Sequence, residues 1–250
     1  MRALTGAALL VVAIYAGACL LLFVAQRSLI YFPPPRSAGE GAALERLAVP
    51  GATLAVSVRR APGPRALIYL GGNAEDVATL LPELSAALPG ESLHLLHYRG
   101  FGGSSGTPSE EALHADALAL YDHVRRTHPQ IRVVGRSLGA ALAVRLARER
   151  PVAQLVLITP FDSLQRLAAA QFPLFPVRWL LRDRYHAWRD APHVRAPTTL
   201  IVAGRDEIVP PESAQRLLAH FPAGVARQVV VEGAGHNDPA LSPARLPALR

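Results

Sequence analysis

Ile131-Arg132-Val133-Val134-Gly135-Arg136-Ser137-Leu138-Gly139 decides the fold. Residues 131–134 are a short apolar run and read as a buried strand. The run enters Gly135-Arg136-Ser137-Leu138-Gly139, and residues 140–147 then read as a helix. This is G-x-S-x-G set between a strand and a helix, the context that gives the pattern meaning. So tight a turn holds its serine in a strained conformation. It also requires small residues two positions to either side, which Gly135 and Gly139 supply. The serine hydroxyl is then exposed at a helix N-terminus, where N–H groups and the helix dipole favour developing negative charge. The bare pentapeptide also occurs in turns without chemistry, so its reading depends on the rest of the chain.

Outward from this turn, strands and helices alternate. Residues 44–49 and 53–58 read as an antiparallel pair around Pro50-Gly51. Strands follow at 66–70 and 92–98, with a helix over 74–88 between them. Glu75 and Asp76 fall in that helix's first turn. A glycine-rich loop over 99–106 leads to a helix running from Pro108 to about His128. Beyond the serine turn, strands are expected at 152–158, 198–203 and 227–231, with a helix over 213–220. Residues 162–197 break the rhythm with Pro, Phe, Trp and Arg, and read as a small cap insert. This alternation predicts an α/β fold, a mostly parallel sheet with helices on both faces. Ligand sites in such sheets lie past the carboxyl ends of the strands.

Two of those ends carry the partners a serine nucleophile needs. The strand over 198–203 ends in Gly204-Arg205-Asp206, and the last strand ends in Gly233-Ala234-Gly235-His236. In hydrolases of this topology the chain order is serine, acid, histidine. Ser137 is therefore expected as nucleophile, His236 as base and Asp206 as its orienting acid, with Glu207 and Asp162 as competitors for the acid. The oxyanion donors are expected to be the backbone N–H groups of Leu138 and Asn73, with Gly72 as alternative for the second. No cofactor or metal is expected. His94 and His97 lie three apart on a strand, hence on opposite faces. A lone cysteine, Cys19, excludes a disulfide within the chain and a cysteine-based metal site.

Residues 3–25 carry no charge and are long enough to cross a bilayer core as a helix. Residues 1–26 are expected to anchor the chain, 27–41 to form a spacer, and 42–250 to form the hydrolase domain. A cleaved signal peptide is the rival, since Ala16-Gly17-Ala18 fits a small-x-small cleavage site. Against it, residues 20–25 stay apolar beyond that cut. The net charge is +7, and the sequence contains no lysine, so all 26 basic residues are arginine. They are scattered, without interleaved aromatics, which argues against a nucleic-acid surface. Attraction to an anionic membrane fits better. The short N-terminus is expected to stay inside, which puts the domain outside the cytoplasm.

Several stretches together resemble the Bem46-like α/β-hydrolases, serine hydrolases with an N-terminal membrane anchor. They are Gln26-Arg27-Ser28-Leu29-Ile30-Tyr31-Phe32-Pro33, Leu70-Gly71-Gly72-Asn73, Tyr98-Arg99-Gly100-Phe101-Gly102, Gly135-Arg136-Ser137-Leu138-Gly139, Thr159-Pro160-Phe161-Asp162, Gly204-Arg205-Asp206 and Gly235-His236. The resemblance implies the Ser137–His236–Asp206 triad, a structural role for Asp162 and a small cap. The chain departs from it in two places. Gly71 stands where family members commonly have histidine, and prolines at 239, 243 and 247 oppose the usual final helix. The expected chemistry is hydrolysis of a small or lipid-like carboxylic ester or thioester through an acyl-serine. Phe172, Leu174, Phe175 and Trp179 are candidates for lining the acyl pocket. A peptidase of the same fold and a non-catalytic membrane-tethered binding module are the rival readings.

Overall fold

Eight strands form one sheet in a computed structural model that describes residues 2–34 and 43–249. In chain order they are β1 (Ala43–Val49), β2 (Ala52–Arg59), β3 (Arg65–Leu70), β4 (Ser92–Leu96), β5 (Gln130–Arg136), β6 (Gln154–Ile158), β7 (Thr198–Ala203) and β8 (Ala226–Val231). The spatial order is β1-β2-β4-β3-β5-β6-β7-β8. The pairs β1–β2 and β2–β4 are antiparallel; every pair from β4–β3 through β7–β8 is parallel. Strands β3, β6 and β7 are apolar along nearly their whole length because helices cover both faces. The chain leaves β3 for β4 on one side and then crosses to β5 on the other. A ligand crevice is expected at that reversal, and the turns after β3 and β5 meet there.

The helices are α1 (Arg2–Ile30), α2 (Leu81–Ala87), α3 (Glu110–Arg125), α4 (Leu138–Glu149), α5 (Leu164–Gln171), α6 (Val177–Leu180), α7 (Ala187–Asp190) and α8 (Pro211–Leu218). One apolar cluster packs α3 and α4 under β2, β3, β5 and β6. A second fills the other face with α2 and the C-terminal residues Leu241, Leu246 and Leu249. In place of a final helix there are three 3₁₀ turns, each begun by a proline. They dock on α2 through Ser242 and Arg245, which both donate to the Glu83 carboxylate.

Three expectations change. The helix over 74–88 is only partly present: a 3₁₀ turn (Val77–Leu80) precedes the short α2. Ala74 has φ 60°, which no helix start accepts. Asp76 caps the 3₁₀ turn, accepting from the Ala78 N–H at 3.1 Å. Strand β4 stops at Leu96, where His97 turns to bond the Ser57 hydroxyl at 2.8 Å. Finally, α1 runs past residue 26 to Ile30, and Tyr31 is buried beneath the cap, so the start of the expected spacer is docked structure. Residues 35–42, the remainder of that spacer with the expected domain start at 42, lie outside the described residues.

Two buried histidines tie stability to pH. Burial, with His128 nearby, pushes His94 down to about 4. Its Nε2 has no hydrogen-bond partner among the described residues. Burial, with Arg145 nearby, pushes His114 down to about 3. Glu110 lies 3.9 Å from His114 without offsetting this; its other oxygen accepts the Arg184 N–H at 2.6 Å. Unfolded, both histidines titrate near 6.5. The unfolded chain therefore binds more protons between that pH and the folded values. Their stabilisation is complete above about pH 6.5 and falls below it, by at most about 1.4 kcal/mol per pH unit for each histidine. Glu110, whose carboxyl burial pushes up, opposes the trend as one group against two. The urea midpoint is expected to be lower at about pH 5 than at about pH 7. A midpoint that holds or rises would contradict this account.

Candidate active site

The turn after β5 places Ser137 at φ 49°, ψ −111°, immediately before α4. That backbone conformation costs a non-glycine residue about 1–3 kcal/mol. The surroundings enforce it. The Ser137 N–H donates to the Ile158 carbonyl of β6 at 2.9 Å. A Cβ on Gly135 would lie 2.7 Å from the Ala143 Cβ, and one on Gly139 would lie 2.5 Å from the Gly71 carbonyl oxygen. Both positions therefore exclude a side chain, and α4 can press directly against the ends of β3 and β5.

Asp206 follows β7 and His236 follows β8. The three residues meet over the crevice. His236 Nε2 lies 3.1 Å from Ser137 Oγ, and His236 Nδ1 lies 2.8 and 2.9 Å from the Asp206 oxygens. Asp206 is fixed from behind, because the N–H groups of Ile208 and Val209 donate to its Oδ1 at 2.9 and 2.7 Å. Asp206 and His236 are buried while Ser137 is partly open. The competing acids point elsewhere. Glu207 accepts the His236 backbone N–H at 3.3 Å. Asp162 is fully buried between Ser213, Arg166 and Arg216. Burial alone would raise its carboxyl, but hydrogen bonds from Arg216, Ser213 and Arg166 outweigh it and hold the group below the usual range.

The turn after β3 closes the site from the other side. The Gly72 N–H is already used, donating to Glu75 Oε2 at 2.5 Å. That removes the alternative oxyanion donor. Leu138 and Asn73 line the same cavity as Ser137. The Asn73 side chain is tied to the N-terminal segment: its Nδ2 donates to the Ile30 carbonyl at 2.6 Å, and its Oδ1 accepts the Phe32 N–H at 3.0 Å. The cavity above Ser137 has a volume of about 280 Å³. Leu22, Leu29 and Ile30 of α1 form one wall; Leu167, Phe172 and Phe175 of the cap form the other. Of the residues expected in an acyl pocket, Phe172 and Phe175 are there. Leu174 and Trp179 are instead 80% and 68% exposed on the outer side of the cap.

No protein-family model matches the chain. The uncharacterized protein Rv2307c of Mycobacterium tuberculosis is 39% identical over 263 aligned positions, covering 96% of this chain and 92% of that protein. The alpha/beta hydrolase domain-containing protein aho-3 of Caenorhabditis elegans is 32% identical over 194 positions, 74% of this chain and 56% of its own length. Among solved structures, the esterase Pf2001 of Pyrococcus furiosus superposes with a TM-score of 0.67 at 18% identity, covering 84% of this chain and 93% of that one. This chain has the α/β-hydrolase fold. None of these three names the Bem46-like group.

Two residues take places in this α/β-hydrolase fold that the sequence alone does not show. Glu75, expected to start a helix, turns back to the Gly72 N–H and accepts the Tyr69 hydroxyl at 2.7 Å. Arg136, which sequence alone leaves without a role, lies 3.7 Å from that carboxylate. It also donates to the His236 carbonyl at 3.2 Å and to Asn237 Oδ1 at 3.0 Å. The pair ties the turn after β3 to the histidine loop. One local signal was present for Glu75: a Glu three residues after a turn can reach back to the turn's N–H, as in a capping box. For Arg136 there was none, because its partners Glu75, His236 and Asn237 are all distant in the chain, two of them by about a hundred residues.

Proposed function

We propose that this chain is a serine hydrolase that cleaves carboxylic ester or thioester bonds through an acyl-serine, held to a membrane by α1 with the hydrolase domain outside the cytoplasm. The hydrogen-bonded line Asp206–His236–Ser137 at the reversal of strand order carries the reading. His236 Nε2 takes the proton as Ser137 Oγ attacks the acyl carbon. The oxyanion accepts the N–H groups of Leu138 and Asn73. As the tetrahedral intermediate collapses, the bond to the alcohol or thiol breaks and His236 returns the proton to that leaving group. Water repeats the sequence on the acyl-serine and releases the acid. Asp206 keeps Nδ1 protonated throughout, so Nε2 is free to accept. The apolar cavity between α1 and the cap suits an acyl chain, and the fold match to an esterase agrees with ester chemistry.

A fluorophosphonate probe tests the nucleophile. Wild type is expected to be labelled and to hydrolyse p-nitrophenyl butyrate; Ser137→Ala is expected to lose both. Labelling that persists in the variant would assign the reactive group elsewhere. For orientation, activity of a reporter fused after Arg250 is expected from a periplasmic-type reporter and not from a cytoplasmic one.

A further inference from the structure

Residues 167–177 carry no charge, and Arg166 and Arg178 bracket them. The tip of this stretch packs along α1. The Tyr15 hydroxyl donates to the Leu174 carbonyl at 2.9 Å. The Tyr15 and Phe175 rings stack, 5.9 Å between centroids and 5° apart in plane. Tyr15 lies deep in the helix. Leu4–Ile30 is 27 residues, about 40 Å of helix, against roughly 30 Å of hydrocarbon in a bilayer. A span beginning at Leu4 is therefore complete near Phe23. Tyr15 is about two turns, or about 12 Å, inside that boundary. The cap tip is held at the same level.

Much of the tip's backbone is satisfied within the protein, as that depth favours. Irregular chain in hydrocarbon needs its polar groups satisfied by protein. Pro173 and Pro176 carry no N–H. The N–H groups of Phe172, Phe175 and Val177 donate to Ala168, Phe172 and Phe175 at 2.9, 3.1 and 2.8 Å. Tyr15 satisfies the Leu174 carbonyl. The side chains face the same way: Leu174 and Trp179 are mostly exposed, and Phe172 is half exposed while also lining the cavity. Arg178 sits over the Trp179 ring at 4.4 Å, an aromatic–cation pair of the kind found at membrane interfaces. Leu29 and Phe32 likewise line the cavity and are half exposed. The cavity therefore reaches the surface where α1 leaves the bilayer.

We propose that the cap tip 172–179 is immersed in the leaflet α1 crosses, and that the substrate is a bilayer-resident lipid ester whose acyl chain enters between α1 and the cap. The chemistry rests on the serine-hydrolase reading above; the immersion does not.

Two arms separate these. First, the full chain carrying Trp188→Phe keeps Trp179 as its sole tryptophan, since the sequence has two. In phosphatidylcholine–phosphatidylglycerol vesicles, lipids brominated near the headgroup end of the acyl chains are expected to quench most of the Trp179 emission. Unquenched emission from vesicle-bound protein would overturn the immersion, whether water or a protein partner covers the tip. Second, Leu174→Glu with Trp179→Glu is expected to lower turnover of a fluorogenic long-chain acylglycerol in vesicles roughly tenfold or more, because charge is excluded from hydrocarbon. Turnover of p-nitrophenyl butyrate in detergent is expected to stay at the wild-type level. Equal turnover by variant and wild type in vesicles would overturn the lipid route, and so would equal losses on both esters. Failure of the wild type on the soluble ester would instead strike the serine-hydrolase reading and leave the quenching result standing.

Discussion

Asp206→Asn is expected to lower kcat on a soluble ester about 10⁴-fold, the scale seen when a triad acid becomes an amide. The mechanism can be followed atom by atom. Oδ1 of Asp206 accepts two backbone N–H groups, from Ile208 and Val209. Only a carbonyl oxygen can keep those bonds, so the asparagine would place its NH₂ toward His236 Nδ1. A donor there requires Nδ1 to be the acceptor, and the proton moves to Nε2. The nitrogen 3.1 Å from Ser137 Oγ could then no longer accept the serine proton. The fold is expected to survive, because shape and the backbone bonds are retained. Stopped-time assays with p-nitrophenyl butyrate, alongside thermal melting, read both. A variant within tenfold of wild type would remove Asp206 from the reaction and return Glu207 to contention.

Gly139→Ala is expected to damage stability and activity together. Its Cβ would overlap the Leu70 carbonyl oxygen and sit 2.5 Å from that of Gly71. Both are backbone atoms at the end of the central strand β3, so neither can swing aside as a side chain would. Either α4 lifts from the sheet or the turn carrying Asn73 is displaced. Overpacking of this kind costs about 3 kcal/mol or more, roughly 6–12 °C in melting temperature for a domain of this size. Ester turnover is expected to fall in the protein that remains folded, since the same shift moves a proposed oxyanion donor. A melting temperature equal to wild type would show that the elbow has room the geometry denies.

The sheet and the meeting of Ser137, Asp206 and His236 were legible because they rest on short-range signals. Most of the strands contain a short apolar run, and Ser137, Asp206 and His236 each lie in the turn just beyond one. What was not legible depends on distant contacts. Ala74 at φ 60° breaks the expected helix because Glu75 is drawn to Gly72 and Tyr69. The insert has no apolar period, so sequence could not tell Phe172 and Phe175, which face the cavity, from Leu174 and Trp179, which face away. Nor could it show that the residues after the apolar run would dock. Gln26 bonds the Leu180 carbonyl and the Arg182 N–H, and Arg27 pairs with Asp183, all across more than 150 residues of chain.

Asn73 holds both the Ile30 carbonyl and the Phe32 N–H with its side chain while its own N–H is the proposed oxyanion donor. The N-terminal helix and the turn beside Ser137 are thus one mechanical unit. A protease cut in the segment after Phe32 would leave the clamp in place, whereas loss of the helix would unseat the donor and open the acyl cavity to water in a single event. On the proposed reading of α1 as anchor and of the chain as an esterase, release by that second route is expected to abolish ester turnover rather than yield an active soluble form.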